Sequence, residues 1–222
     1  MPNTTIIYYT NNDLNEQLFK RCQEYLKKAA DGKPIVSVSH KPVELGINIC
    51  IGEQKSHWLL LYKQILMGTK IANTKYVAMA EHDCFYTSEH FNWIPPDDNT
   101  FYYNENVYFA EWGGNHPDYN GMYSKWPKQR LALSQMICNR DLLEDCLTAR
   151  IGLLSKDKKM VRQIIFAGEP GLSQIRLDKK TKAMLKNLDR GNAYATSGRS
   201  LYLKKYIKAQ LDRETYDTFT TK

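Results

Sequence analysis

Two carboxylates flank an imidazole at Glu81-His82-Asp83, where the apolar run YVAMA ends. That run is typical of a buried strand. A carboxylate in a dry interior is costly unless it is paired, hydrogen-bonded or bound to a metal, so the strand has to deliver these side chains to an edge or a site. Because side chains alternate along a strand, Glu81 and Asp83 would face the same side and could hold a divalent cation together with water and phosphates. A salt-bridged strand terminus is the alternative.

Other catalytic templates do not fit the sequence. It contains no GxxxxGK[ST] phosphate loop, no GxGxxG after the first apolar segment, no GxSxG elbow and no HExxH pair. The five cysteines are scattered without a CxxC pair, which favours reduced, mostly buried thiols. No two histidines have a familiar zinc spacing; His90 could join the acidic cluster or simply be a solvated loop residue.

The elements around the acidic motif follow a βαβ rhythm. Strands are predicted over 4–10, 33–40 and 75–80, and helices after Asn12 or Asp13 and over 56–68, with residues 41–55 as a loop. This order predicts a parallel sheet covered by helices. Ligands of such sheets bind beyond the carboxyl ends of the strands. The polar residues expected there are Thr10, Asn11, His40, Lys41, Glu81, His82 and Asp83.

The remainder of the chain is aromatic and then basic. The patterns predict a hairpin over 99–112, a long aromatic loop over 113–127, a helix over 128–147 and further helices near 156–166 and 199–213. Residues 150–222 carry 17 Lys and Arg against 7 Asp and Glu, a net +10, whereas residues 1–149 carry −3. A basic final third suggests a polyanion such as nucleic acid, or an anionic membrane surface; a solubilising lysine-rich face is the alternative.

The bulk composition is that of a globular protein. The 222 residues suit a single domain, 42% are hydrophobic and 25% charged, and no apolar run approaches the length of a membrane span. We therefore expect no integral membrane contact. The N-terminal residues MPNTTIIYYT show neither a secretory nor a transit pattern, so a cytoplasmic location is expected.

With its strand ending in AMAEHDCFY, the βαβ half resembles the nucleotide-binding half of GT-A glycosyltransferases, over roughly residues 4–112. In that family a DxD-type motif closes a strand and binds Mn²⁺ or Mg²⁺ together with a nucleotide sugar. Asp83 matches the metal ligand, and Glu81 matches the position that meets the ribose or the metal. The resemblance implies a mixed, Rossmann-like α/β sheet with helices on both faces and a basic, helical C-terminal part. It divides the domain into a donor half, 1–112, and an acceptor half, 113–222.

The same resemblance implies a donor site and a catalytic pair. A nucleoside-diphosphate sugar, with UDP as the first candidate, would lie across the first two strand ends. Lys55 would contact the diphosphate, unless it is an ordinary surface lysine. Asp83 would act with the metal; Glu169, in the turn FAGEPG, would be the general base of an inverting reaction, unless it is only an exposed acid. The donor-binding residues implied are Tyr9, Thr10, Asn11, His40, Lys41, Lys55 and Glu81.

The acceptor is expected to be DNA. The chain is similar in size, charge and motif to bacteriophage glycosyltransferases that decorate hydroxymethylated pyrimidines. Aromatic residues would stack on the sugar or a flipped base, and basic residues would follow the phosphates. These residues are Trp112, Tyr123, Trp126, Arg190, Arg199, Lys204 and Lys205. A polysaccharide or lipid-linked acceptor, a metal-dependent nuclease and a non-catalytic nucleic-acid-binding protein remain open as alternatives.

Overall fold

A computed structural model of the chain describes residues 3–110, 123–125, 132–156, 191–195 and 200–203. The strands are β1 Thr4–Thr10, β2 Ile35–Ser39, β3 Ile47–Cys50, β4 Tyr76–Glu81, β5 Cys84–Tyr86, β6 Thr100–Asn104, β7 Val107–Ala110, β8 Tyr123–Lys125, β9 Met136–Asn139, β10 Gly191–Ala195 and β11 Ser200–Leu203. The α-helices are α1 Glu16–Ala30, α2 Trp58–Ile71, α3 Ser88–Asn92 and α4 Arg140–Lys156, and a 3-10 turn spans Leu133–Gln135.

A seven-stranded sheet with the order β10-β6-β9-β4-β1-β2-β3 forms the centre of the molecule. Only β9 runs antiparallel to its neighbours, β4 and β6; the other neighbouring strands of this sheet are parallel. A smaller sheet has the order β5-β11-β7-β8. The mixed α/β fold expected from the sequence is therefore confirmed. Its division into halves at residue 112 stays a prediction.

Helices cover both faces of the large sheet because β1 is apolar on both sides. Ile7 and Tyr9 pack in one core with residues of α2 and α4, whereas Ile6 and Tyr8 pack in a second core with residues of α1. All seven residues of β1 are buried. A central strand of a parallel sheet is buried on both faces, which explains why large side chains occur at successive positions, in Ile6-Ile7-Tyr8-Tyr9, and do not alternate with polar ones. No described helix combines the length and the apolarity needed to span a bilayer.

The first helix begins later than predicted. Asn15, not Asn12 or Asp13, is its N-cap: the Asn15 Oδ1 accepts hydrogen bonds from the backbone N–H groups of Gln17 and Leu18 at 3.1 and 3.3 Å. Asn12 instead has a positive φ of 58°. Its Oδ1 accepts from the backbone N–H groups of His40 and Lys41, both at 2.9 Å. Asn12 therefore ties the end of β1 to the end of β2.

Two predictions in the middle of the chain are wrong. The segment 99–112 is not a hairpin, because β6 joins the large sheet and β7 joins the small one. The predicted helix over 128–147 begins only at Arg140, and Met136–Asn139 inserts as β9 between β4 and β6. A short apolar run does not distinguish a buried strand from a helix, and the pairing with two neighbouring strands decides here.

Further corrections concern short strands. The loop predicted over 41–55 contains β3, an edge strand that pairs in parallel with β2. The helix predicted over 199–213 is wrong at Ser200–Leu203, which forms β11. In the predicted loop 113–127, Tyr123–Lys125 forms β8. Of the helix predicted near 156–166, Lys156 ends α4, and the remainder lies outside the described residues.

Candidate active site

A cleft of about 610 Å³ opens at the carboxyl ends of β1, β2 and β4. The structure brings seven of the residues singled out from the sequence to its wall: Tyr9, Thr10, Asn11, His40, Glu81, His82 and Asp83. The wall also includes residues of α2 and of the segment before it, which sequence reasoning missed: Ser56, His57, Leu60, Leu61 and Gln64.

Two carboxylates line the acidic end of the cleft, and a buried thiol lies close to both. Oxygens of Glu81 and Asp83 and the Cys84 Sγ all lie within 4.8 Å of one another. Asp83 is buried in the turn between β4 and β5, with 2% of its surface exposed. The Tyr9 hydroxyl donates to the Glu81 Oε1 at 2.9 Å, and the two residues are register partners in β1 and β4. Tyr9 thus holds one carboxylate in place across the sheet.

This donor set fits a hard divalent cation such as Mg²⁺ or Mn²⁺. Carboxylate oxygens are the protein ligands these ions prefer. Burial, followed by the charges of Asp83 and Glu81, raises the pKa of the Cys84 thiol well above its ordinary value. The Cys84 Sγ donates a weak hydrogen bond to the Asp83 Oδ1 at 4.0 Å, and a hard cation prefers oxygen to sulfur, so the two carboxylates are the ligands that suit it. Glu81 and Asp83 would hold the ion, and water or substrate oxygens would complete its coordination.

Tyr86 braces the backbone where the acidic motif begins. Its hydroxyl accepts from the Glu81 backbone N–H at 3.0 Å and donates to the Ser134 carbonyl oxygen at 3.2 Å. The ring is fully buried and stacks on His90 with a centroid distance of 5.3 Å. His90 is buried in α3 against Tyr86, so it is not a solvated loop residue. Within the described residues, the group of possible metal ligands consists of Glu81, Asp83 and Cys84, without His90.

Tyr86→Phe is expected to lower the free energy of unfolding by about 1–3 kcal/mol, because the Glu81 N–H and the Ser134 carbonyl lose their partner in a buried position. Urea unfolding measures the change. Tyr76→Phe is the matched control, since its hydroxyl donates to the half-exposed carboxylate of Asp98, and its removal should cost less. An equal loss in both variants would contradict the bracing role of Tyr86.

Polar side chains at the β1 and β2 end of the cleft are held by local hydrogen bonds. The Asn11 Nδ2 donates to the Ser56 Oγ at 2.9 Å. Burial lowers the pKa of His40, so its imidazole is neutral at pH 7. Its Nε2 is buried and has no hydrogen-bond partner in the described part of the chain. The Gln64 Nε2 donates to the carbonyl oxygens of Thr10 and Val38 at 3.0 and 3.2 Å.

The structure does not bring two of the predicted donor-binding residues to the cleft wall. Lys41 is exposed, and its Nζ lies 3.0 Å from the Glu53 carboxylate. Lys55 is exposed in the loop before α2. Tyr123 lies on β8, which pairs with β7. The other predicted catalytic and acceptor-binding residues lie outside the described residues and stay predictions: Trp112, Trp126, Glu169, Arg190, Arg199, Lys204 and Lys205.

One feature of the sequence could have indicated that α2 helps to form the cleft. In SHWLLLYKQILMG, Lys63 and Gln64 interrupt a mostly apolar helix, and a polar residue that is buried there needs a partner. The sequence does not show that these partners are carbonyl oxygens near the ends of β1 and β2. Those bonds depend on how the helix packs against the sheet.

No protein-family model matches the sequence, and no curated protein matches it. Solved structures with a similar fold include a glycosyltransferase involved in glycosylation of the major capsid of PBCV-1, at 10% identity and TM-score 0.47, covering 90% of this chain and 93% of that one. Another is Staphylococcus aureus TarS residues 1–349 with UDP-GlcNAc, at 10% identity and TM-score 0.49, with coverages of 97% and 64%.

A third similar structure is the 2-C-methyl-D-erythritol 4-phosphate cytidylyltransferase IspD of Francisella tularensis, at 8% identity and TM-score 0.49. The match covers 98% of this chain and 99% of that one. These likenesses are distant. They assign no activity and no substrate to this chain, so a functional proposal has to stand on the cleft itself.

Proposed function

We propose that the chain is a metal-dependent glycosyltransferase that moves a sugar from a nucleoside-diphosphate sugar, UDP-linked in the first instance, to a hydroxyl acceptor. One observation carries this proposal: the paired carboxylates of Glu81 and Asp83 share a cleft with a set of oriented polar side chains at neighbouring strand ends. Such a cleft suits a ligand with a diphosphate at one end and hydrogen-bonding groups at the other.

Asp83 would hold the Mn²⁺ or Mg²⁺ ion, with help from Glu81. When bound, the ion would stabilise the negative charge that builds on the leaving diphosphate. The Tyr9 hydroxyl keeps the Glu81 carboxylate oriented, and Tyr86 fixes the backbone N–H of the same residue. These contacts preorganise the acidic end of the cleft before the donor arrives.

For the acceptor, we propose the hydroxymethyl group of a modified pyrimidine in phage DNA. The support is the net +10 of residues 150–222, since phosphate contacts from Lys and Arg could offset the few kcal/mol needed to flip a base. The acceptor oxygen would form the new bond to the anomeric carbon while the bond from that carbon to the diphosphate breaks. If the reaction inverts configuration, the hydroxyl proton would go to Glu169.

Thermal unfolding with UDP, with and without Mn²⁺, tests the donor site. A ligand that binds the native state raises the midpoint by mass action. At about 100 times the dissociation constant, we expect a rise of about 5–11 °C for a chain of this size, and chelation of the metal should reverse it. If UDP, CDP, GDP and ADP all gave no metal-dependent rise, the proposal would be wrong.

A further inference from the structure

The side-chain amide of Gln64 has a fixed orientation on the buried face of α2. It is 4% exposed and lies on α2, one turn beyond Leu60 and Leu61. Its Nε2 donates to the carbonyl oxygens of Thr10 and Val38 at 3.0 and 3.2 Å. A carbonyl oxygen only accepts, so both hydrogens of the amide nitrogen are used and the amide cannot flip. The remaining polar atom, Oε1, is an acceptor of known placement.

The Gln64 acceptor lies beside a cleft that leaves polar groups unsatisfied. Gln64 lines the cleft, and no hydrogen bond to its Oε1 is formed within the described part of the chain. His40, two residues beyond Val38, lines the same cleft at 4% exposure, and its buried Nε2 also lacks a partner among the described residues. A buried nitrogen without a partner, such as His40 Nε2, is costly, and a bound ligand that pairs it removes that cost; the Gln64 Oε1 is not one of the buried unpaired atoms, so it carries no such cost of its own.

The charges at this end of the cleft favour an uncharged heterocycle over a phosphate. The Gln64 Oε1 needs a donor, whereas a phosphate at neutral pH offers mainly acceptors. The His40 imidazole is neutral at this pH and would not attract an anion. Leu60 and Leu61 add apolar surface to the wall. A nucleobase has a flat apolar face and N–H groups at its edge, and it matches these features.

We propose that Gln64 determines the donor specificity of the site by accepting, at Oε1, a hydrogen bond from an N–H of the nucleobase, which is N3–H in a uracil donor. This inference rests on the proposed function and adds a specificity-determining residue to it. Asn12 acts as a positioning residue, because its Oδ1 holds the backbone of His40 at the adjacent strand end.

Binding of UDP analogues to the wild-type chain in Mn²⁺ tests the assignment. Methylation at N3 removes the hydrogen that Gln64 would accept, so 3-methyl-UDP should bind about 10-fold more weakly than UDP, or worse. 2′-Deoxy-UDP should bind like UDP. Equal affinities for UDP and 3-methyl-UDP would overturn the assignment. So would a loss confined to 2′-deoxy-UDP, since the donor would then be a ribose hydroxyl.

A variant separates hydrogen bonding from a steric effect of the methyl group. Gln64→Met keeps the length of the side chain and removes the acceptor, so the preference for UDP over 3-methyl-UDP should fall to within about twofold. Gln54→Met is the matched control: Gln54 is exposed, lies outside the wall of this cleft and donates to Ile51, and its variant should keep the full preference.

The outcomes distinguish this inference from the proposed function. If the wild type binds UDP with the preference and Gln64→Met keeps that preference, Gln64 does not read the base. If Gln64→Met does not fold, the comparison of analogues on the wild type decides. If the wild type binds no nucleoside diphosphate at all, the proposed function fails and this inference fails with it.

Discussion

If the proposed function holds, Asp83→Asn is expected to reduce metal-dependent sugar transfer by about 100-fold or more, because it removes a carboxylate that would hold the cation and so stabilise the leaving diphosphate. The fold should survive the change. Asp83 is buried within 4.8 Å of the Glu81 carboxylate, and a neutral amide of the same shape lessens the repulsion between the two groups. We expect the thermal midpoint without ligand to be equal or higher.

The measurement is the rise in thermal midpoint with UDP and Mn²⁺, followed by donor turnover once an acceptor is found. Glu81→Gln should have a smaller effect than Asp83→Asn, since the Tyr9 hydroxyl already engages the Glu81 carboxylate and can also donate to an amide oxygen. Asp145→Asn changes an exposed acid on α4 and should behave as wild type. A full metal-dependent rise in Asp83→Asn would remove Asp83 from the metal site.

The sequence predicted the centre of the fold because its strands carry strong, uninterrupted signals. TTIIYYT is a run of β-branched and aromatic residues and YVAMA is a short apolar run; each is followed by polar residues, and they form central strands, β1 and β4, whose ends meet at the cleft. A parallel sheet puts the carboxyl ends of its strands at one edge, so the sequence could place Glu81 and the end of β1 at the same edge. It did not predict that β4 pairs with β1, and that pairing is what sets Glu81 beside Tyr9.

The errors occur where tertiary pairing overrides a weak local pattern. Met136–Asn139 is too short to identify by its period and runs directly into α4, so it was predicted as helix although it pairs with both β4 and β6. Edge strand β3 is partly exposed and follows turn residues, so its pattern is typical of a loop. In both segments, the pairing with neighbouring strands determines the structure, and the local sequence pattern does not indicate it.

The α2 side of the site could not be predicted for a different reason. A crossover helix can slide and rotate over a sheet without changing its own hydrophobic pattern. Which of its residues reach the strand ends is therefore set by packing, including the close approach of Gly68 to Ile7: a Cβ at Gly68 would lie 2.7 Å from the Ile7 Cγ2. That approach brings α2 close enough for Gln64 to reach the carbonyl oxygens of β1 and β2.

Gly46→Ala is expected to lower the free energy of unfolding by about 3–5 kcal/mol. Gly46 has a φ of +64°, a conformation that alanine adopts at a cost, and a Cβ there would lie 2.0 Å from the carbonyl oxygen of Ile35 and 2.7 Å from its carbonyl carbon. These are backbone atoms at the start of β2, which is paired with β1, so they cannot move aside without disturbing the sheet.

Gly52→Ala separates the two contributions. Gly52 also has a positive φ, +76°, but a Cβ there meets no atom within 4 Å, so its variant should lose only about 1–2 kcal/mol. Urea unfolding of both variants gives the difference that is due to the contact with Ile35. Equal losses would mean that the loop before β3 can move away from β2 at little cost. A larger loss in Gly46→Ala would show that this loop must approach β2, the strand that leads to His40 in the cleft.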